Sequence, residues 1–289
     1  MKNILVLTDF SASAARAAEC ALGIAAKLGA DVLLVNVYPI TPYLPSVGLT
    51  VLPLSTPGEK RRESTTRLNR EVRRLEKRLQ DLTVPGHKPD IRPIPLEGLL
   101  AERVSQLVRR KNCIMITMGV SAQSYGDLFF DGNIKAVLQL AVRPVLIIPA
   151  TWNRREIRHI LFATDLAEED QKVLNELISL CNRLKVQISV THVSRPVLIP
   201  DFAEEIRVSA FIEKITSLNP AIRYYPARGA NTLAALKKTS EDQQTDLIAL
   251  RYQKHPGFYH LFHENPLKEA IKLGTLPLLI FPETSHGHD

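Results

Sequence analysis

The 289-residue sequence predicts an α/β protein made of two doubly wound, parallel, five-stranded sheet units in tandem. Three observations carry that expectation. A strand-like run ending in Thr-Asp occurs twice, as Ile4-Leu5-Val6-Leu7-Thr8-Asp9-Phe10 and as Ile160-Leu161-Phe162-Ala163-Thr164-Asp165-Leu166. A proline-bounded apolar run also occurs twice, as Arg143-Pro144-Val145-Leu146-Ile147-Ile148-Pro149 and as Leu276-Pro277-Leu278-Leu279-Ile280-Phe281-Pro282. Between these markers, short apolar runs alternate with amphipathic stretches, as expected of strands buried on both faces and joined by crossover helices.

In the first copy, strands are expected at 4–7, 32–37, 91–94, 114–118 and 145–148, each pair separated by a helix. Ser11 can cap the first helix, and Gly29 fits its C-terminal stop. Tyr38 to Pro57 holds five prolines among Leu44, Val47, Leu49, Val51, Leu52 and Leu54. It is too interrupted for a helix and too apolar for a plain linker, so it reads as a lid over the first crevice or as a cover for the other half or a second subunit. From Lys60 to Arg78, nine Lys or Arg face three Glu, while Leu68, Val72, Leu75, Leu79 and Leu82 recur at helical spacing. This is an amphipathic helix with a basic outer face.

The second copy repeats the plan, with Asp165 and a Glu168-Glu169-Asp170 first turn that suits the positive end of a helix dipole. Ile91-Arg92-Pro93-Ile94-Pro95 matches Ile222-Arg223-Tyr224-Tyr225-Pro226. The offset between copies runs 156, 131 and then 133, so the second copy is 25 residues shorter before this strand and 2 longer after it. The expected domains are 1–150 and 157–283, joined by the short linker Ala150 to Arg158, with 284–289 as a polar tail.

With 45% hydrophobic and 23% charged residues, both halves can bury a core. The net charge of +7 lies wholly in the first half, where 20 Lys or Arg in residues 1–150 oppose 13 acids, against 17 and 17 in the remainder. No apolar run approaches the roughly 18 residues of a membrane span, and the opening turns polar too early for a signal peptide, so a cytoplasmic protein is expected. Cys20, Cys113 and Cys181 have no paired spacing and read as reduced, structural thiols.

A ligand of such a sheet is expected beyond the carboxyl ends of the strands, where strand order reverses. That gathers Thr8, Asp9, Val37 and the segment after Met118. There Met118-Gly119-Val120-Ser121-Ala122 is followed, nine residues on, by Gly132-Asn133-Ile134, which is expected to open the next helix. Glycines admit phosphate to backbone N–H groups, and a helix N-terminus favours its charge.

On these residues the chain resembles the universal stress protein family, in a tandem arrangement covering both halves. The resemblance implies a Rossmann-like, adenine nucleotide alpha hydrolase-like fold. It also implies ATP or another adenine nucleotide in the first half, with nucleoside roles for Asp9 and Val37 and phosphate roles for Gly119, Gly132 and Asn133. Ala122 stands where the family has a second glycine, and Asn133 where it has Ser or Thr. In the second copy, an offset of 133 puts Tyr252, Tyr259, Asn265 and Pro266 at the places of Gly119, Gly126, Gly132 and Asn133, so the phosphate loop is lost there. Arg251, Lys254 and His255 remain as anion-binding side chains. Asp9 and Asp165 read equally well as helix caps, and Gly119 and Gly132 as tight turns. The family's last strand joins two domains about an approximate two-fold axis, which implies a pseudo-dimer within one chain, paired again into a homodimer.

His255, His260 and His263 lie close together, but no Cys or carboxylate pattern completes a metal site. The sequence has no nucleophile elbow, Walker loop or motif-placed carboxylate pair, so no dedicated enzyme is expected. The expected function is a stress-response protein with a nucleotide site in the first half and a scaffold or regulatory second half. The alternative is an interaction protein whose basic helix 60–78 meets an acidic partner. No nucleic-acid partner is expected.

Overall fold

A computed structural model of the chain describes residues 1–40, 56–81, 87–120, 128–153, 156–196, 201–252 and 276–282. The first copy forms β1 (Lys2–Leu7), α1 (Ala12–Leu28), β2 (Ala30–Tyr38), α2 (Pro57–Gln80), β3 (Ile91–Glu97), α3 (Leu100–Arg110), β4 (Cys113–Val120), α4 (Leu128–Leu140) and β5 (Val145–Pro149). The second forms β6 (His159–Ala163), α5 (Glu168–Leu184), β7 (Gln187–Ser194), α6 (Phe202–Leu218), β8 (Arg223–Arg228), α7 (Thr232–Asp242), β9 (Leu247–Arg251) and β10 (Leu278–Phe281). The five strands and four helices expected in the first copy are present. The second copy's fourth helix, its histidines at 255, 260 and 263, most of the proline-rich segment and the polar tail fall outside the described residues.

The chain divides into two compact units, the first built from Met1–Val120 and the α4 segment up to Arg143, the second from Pro144 onward. In unit 1 the strand order is β3-β2-β1-β4, all parallel. Order reverses at β1, so a crevice forms where the carboxyl ends of β1 and β4 diverge toward opposite crossovers. In unit 2 the order is β5-β10-β9-β6-β7-β8, parallel except for β5 against β10, and the reversal falls at β6 and β9. The last strands of the two copies thus pair with each other, Leu278 opposite Ile147 and Ile280 opposite Val145, as the resemblance implies.

The sheets are apolar because both faces are covered. Ile4, Leu5, Val6, Leu34 and Val35 of β1 and β2 are fully buried, as are Leu161 and Phe162 of β6. Helix α1 packs with an alanine-rich face, Ala14, Ala17, Ala18, Ala21 and Ala25, which lets it approach the strands closely. Ser11 caps it, accepting from Ala14 N–H at 3.2 Å, and Gly29 ends it at φ 64°, where a glycine carries no Cβ penalty. Lys185 ends α5 at φ 57°, the same left-handed geometry without the glycine.

Helix α2 is the amphipathic basic helix. A Thr56–Glu59 capping box opens it, and Leu68, Leu75 and Leu79 bury its inner face, each worth about 2 kcal/mol. At the opposite end of the sheet, buried Asp31 of β2 anchors the start of β3. It accepts from Asp90 N–H at 3.1 Å and Arg92 Nη2 at 2.5 Å, and meets His87 Nε2 at 3.1 Å. These partners outweigh burial and hold the Asp31 carboxyl below its usual range.

Candidate functional site

The chain leaves β1 through a turn that fixes four backbone groups. Thr8 N–H donates to Val35 O at 2.9 Å, and Thr8 O accepts from Asn36 Nδ2 at 2.8 Å. Asn36 Oδ1 in turn accepts from Ser64 Oγ of α2 at 2.8 Å. Phe10 sits at φ 66°, which costs a non-glycine residue on the order of 1 kcal/mol, and its N–H donates to Thr8 Oγ1 at 2.9 Å. Asp9 Oδ1 accepts from Ser11 N–H at 2.9 Å, so Asp9 braces the entry to α1 while remaining exposed.

The second copy reproduces this turn residue for residue. Leu166 has φ 67° and bonds Thr164 Oγ1 at 2.9 Å, Ala167 N–H bonds Asp165 Oδ1 at 3.1 Å, and His192 Nδ1 meets Thr164 O at 2.9 Å. His192 Nε2 reaches Glu204 of α6 at 3.1 Å, as Asn36 is reached by Ser64 of α2. Both carboxylates, Asp9 and Asp165, therefore do helix-entry work in the structure.

The copies part at the end of the strand that faces this turn. Met118, Gly119 and Val120 close β4, and Met118 and Val120 are buried. A Cβ on Gly119 would lie 2.2 Å from the carbonyl carbon and oxygen of Ser13 and 2.5 Å from Ala14 N. Gly119 is therefore a glycine because the backbone of β4 touches the first turn of α1. That turn carries no acidic residue of its own, and the carboxylate at its entry is the exposed Asp9.

Strand register identifies the counterpart of Gly119. Ile4 lies opposite Met115 and Ile160 opposite Leu247, so Met115 corresponds to Leu247 and the offset here is 132. Gly119 thus corresponds to Arg251, and the expected match to Tyr252 is corrected by one residue. The offset of 133 holds at the last strands, and the extra residue enters after β9. Tyr252 instead closes the sheet, its N–H donating to Phe281 O at 2.7 Å.

Arg251 is only 4% exposed, and Asp170, the counterpart of Ala14, only 2%. Arg251 Nε donates to Asp170 Oδ1 at 2.5 Å, and its Nη2 lies 3.5 Å from Asp165 and 3.9 Å from Glu169. Asp170 Oδ2 accepts from Thr164 Oγ1 at 2.6 Å and Asp165 N–H at 3.1 Å. Burial, with the charge of Asp165, pushes the Asp170 carboxyl up to about 6 against the opposing hydrogen bonds from Thr164 and Arg251. A buried ion pair thus fills in unit 2 the position that Gly119 and Ala14 leave to backbone in unit 1.

The other expected site residues are distributed unevenly. Val37 lies half-buried at the end of β2, opposite Leu96 of β3, one residue beyond Asn36. Ala122 lies outside the described residues. Helix α4 begins at Leu128, so Gly132 falls within it and does not open it, which corrects the expectation for Gly132-Asn133-Ile134. The N–H of the fifth helical residue is already committed to the helical ladder, so Gly132 and Asn133 do not present free backbone donors in this state. Asn133 is exposed and Ile134 is buried in the core. Sequence reading passed over Ala14 and offers Arg251 to an anion and Asp170 to a helix dipole, whereas the structure buries the two against each other. An alignment tied to strand register would have shown Gly with Ala exchanged for Arg with Asp.

Among the described residues, no group of three or more His, Cys, Asp or Glu is placed to hold a metal, and no helix is long and apolar enough to cross a membrane. Cys20, Cys113 and Cys181 are buried free thiols.

The family model of the universal stress proteins matches residues 1–149. No curated protein matches the chain. Among solved structures, a universal stress protein from Archaeoglobus fulgidus DSM 4304 is similar over 97% of this chain and 96% of that one, at 16% identity and a TM-score of 0.65. A protein of unknown function from Pseudomonas aeruginosa PAO1 is similar over 98% of this chain and 92% of that one, at 14% identity and a TM-score of 0.57. At such identities the likeness is one of fold, and it extends through both copies.

Proposed function

The chain belongs to the universal stress protein family, and from that premise we propose that it is a stress-response protein that binds one adenine nucleotide per chain, in unit 1. The observation that carries the reading is the contrast between Gly119 and Arg251. At Gly119 the end of β4 meets a first turn of α1 without acidic residues, which favours an anion. At Arg251 the same place holds a guanidinium clasped by Asp170, beside a first turn with three acids that repel one.

Asp9 and Val37, at the carboxyl ends of β1 and β2, supply the polar and apolar walls for the nucleoside. Asp9 is already engaged with Ser11 N–H, so it suits holding a hydroxyl rather than activating water, and the role is binding without dedicated turnover. Unit 2 serves as a scaffold that keeps its shape without ligand.

The test is calorimetric titration of the full chain with ATP and ADP, after denaturing a sample to look for co-purified nucleotide. One site per chain is expected. Asp9→Asn, which keeps the bond to Ser11, weakens binding about tenfold, and Asp165→Asn leaves it unchanged. Two equivalent sites, no binding, or loss with Asp165→Asn would overturn the reading.

A further inference from the structure

Helix α2 concentrates the charge surplus of the molecule, and the structure sorts seven of its nine cations into two groups. The first group is engaged, either with α1 and its entry turn or with acids of α2 itself. Arg67 stacks 4.1 Å over the Phe10 ring and lies 3.6 Å from Glu63. Arg74 pairs with Glu19 and, at 2.9 Å, with Glu71, and donates to Ala15 O at 3.2 Å. Arg78 faces Asp81 at 3.7 Å, and Arg62 faces the charge of Glu59.

The second group is Arg70, Arg73 and Lys77. All three are exposed, and among the described residues none forms an ion pair. Their spacing of three and four residues places them on one face, roughly opposite buried Leu68, Leu75 and Leu79. Exposed Thr66, Asn69 and Glu76 flank the row, Glu76 one turn beyond Arg73. Over seven residues the row is about 10 Å long.

We propose that this face docks an acidic helix of a protein partner. Cations one turn apart in a straight row match carboxylates repeated one turn apart on a helix laid alongside, and such complementarity sets encounter rate and register. Single-stranded nucleic acid is a poorer fit, since residues 56–81 contain no aromatic side chain on which its bases would stack. A membrane is a poorer fit, because the apolar face that would insert is already buried in unit 1. The proposal is independent of nucleotide binding.

The experiment uses the full chain and a fluorescent, alanine-rich helical peptide with Glu repeated at three- and four-residue intervals, followed by anisotropy. Binding is expected to weaken as NaCl rises from about 50 to about 300 mM. Reversing the three charges, R70E/R73E/K77E, is expected to weaken it at least about tenfold, and the same peptide with Lys for Glu should bind the reversed protein instead. The substitutions lie on an exposed face, and circular dichroism confirms that the variant is folded. Unchanged affinity in the reversed protein, no exchange of preference between the peptides, or tighter binding of wild type to duplex DNA or phosphatidylserine vesicles than to the acidic peptide would each overturn the proposal.

Discussion

Arg251 and Asp170 meet at 2.5 Å in unit 2, at the two positions where unit 1 has Gly119 and Ala14. Neither residue is tolerable there alone, since a buried guanidinium or carboxylate without its partner is left uncompensated. Removing only the cation, as Arg251→Met, is expected to lower unfolding free energy by about 3 kcal/mol. Adding Asp170→Asn should recover part of that loss. A double-mutant cycle in urea reads the coupling, and additive effects would show that the pair does not act as a unit.

Two glycines are expected to respond to alanine with opposite signs. Gly119→Ala drives a Cβ into the backbone of Ser13, which cannot yield without moving α1, so a loss of several kcal/mol is expected. Gly23→Ala meets nothing within 4 Å inside α1 and should stabilise by up to about 1 kcal/mol through helix propensity. Thermal denaturation of both variants checks the pair.

Asp31 and Asp170 impose opposite pH dependences. The folded pKa of Asp31 lies below its ordinary 3.8, so the native state binds fewer protons there. Its contribution is present above pH 3.8 and lost as pH falls through the lowered value. Asp170 is raised from 3.8 to about 6, so the native state binds the extra proton, and that contribution is complete below 3.8 and lost as pH rises through about 6. Urea midpoints against pH should show Asp31→Asn removing the acid-side slope and Asp170→Asn removing the slope between pH 4 and 6.

Burial pushes the thiols of Cys20 and Cys181 up to about 12 and that of Cys113 to about 11, so the nucleophilic thiolate is scarce as well as enclosed. Native protein at pH 8 is expected to resist iodoacetamide, with all three thiols alkylated once it is unfolded. Mass spectrometry counts the adducts, and rapid labelling of native protein at any of the three would contradict their burial.

The duplication was legible because each strand is buried on both faces and keeps an apolar run, and because Thr8-Asp9 and Thr164-Asp165 do the same backbone work in both copies. Ser11 and Gly29 were legible for a local reason, since capping depends on residue type and position alone. The Gly119–Ser13 contact was not, because it arises from how closely α1 lies on β4 and leaves no periodic trace. Arg251 was hidden by a one-residue change in offset that only hydrogen-bond register resolves. The placement of Gly132-Asn133 within α4 is not legible, because a glycine-asparagine pair carries the local chemistry of a helix opening even where the helix runs through it.

The antiparallel pairing of Val145–Ile147 with Leu278–Ile280 has a bearing on how the two copies have been free to change. When two identical chains assemble through such strands, every mutation is made twice, and a substitution good for one subunit is forced on the other. A fused gene lifts that constraint, because the strand partner is always supplied by the same polypeptide while each copy mutates alone. The second copy could then exchange a close backbone contact at a glycine for an internal ion pair without the first copy following, and specialisation needed no second gene.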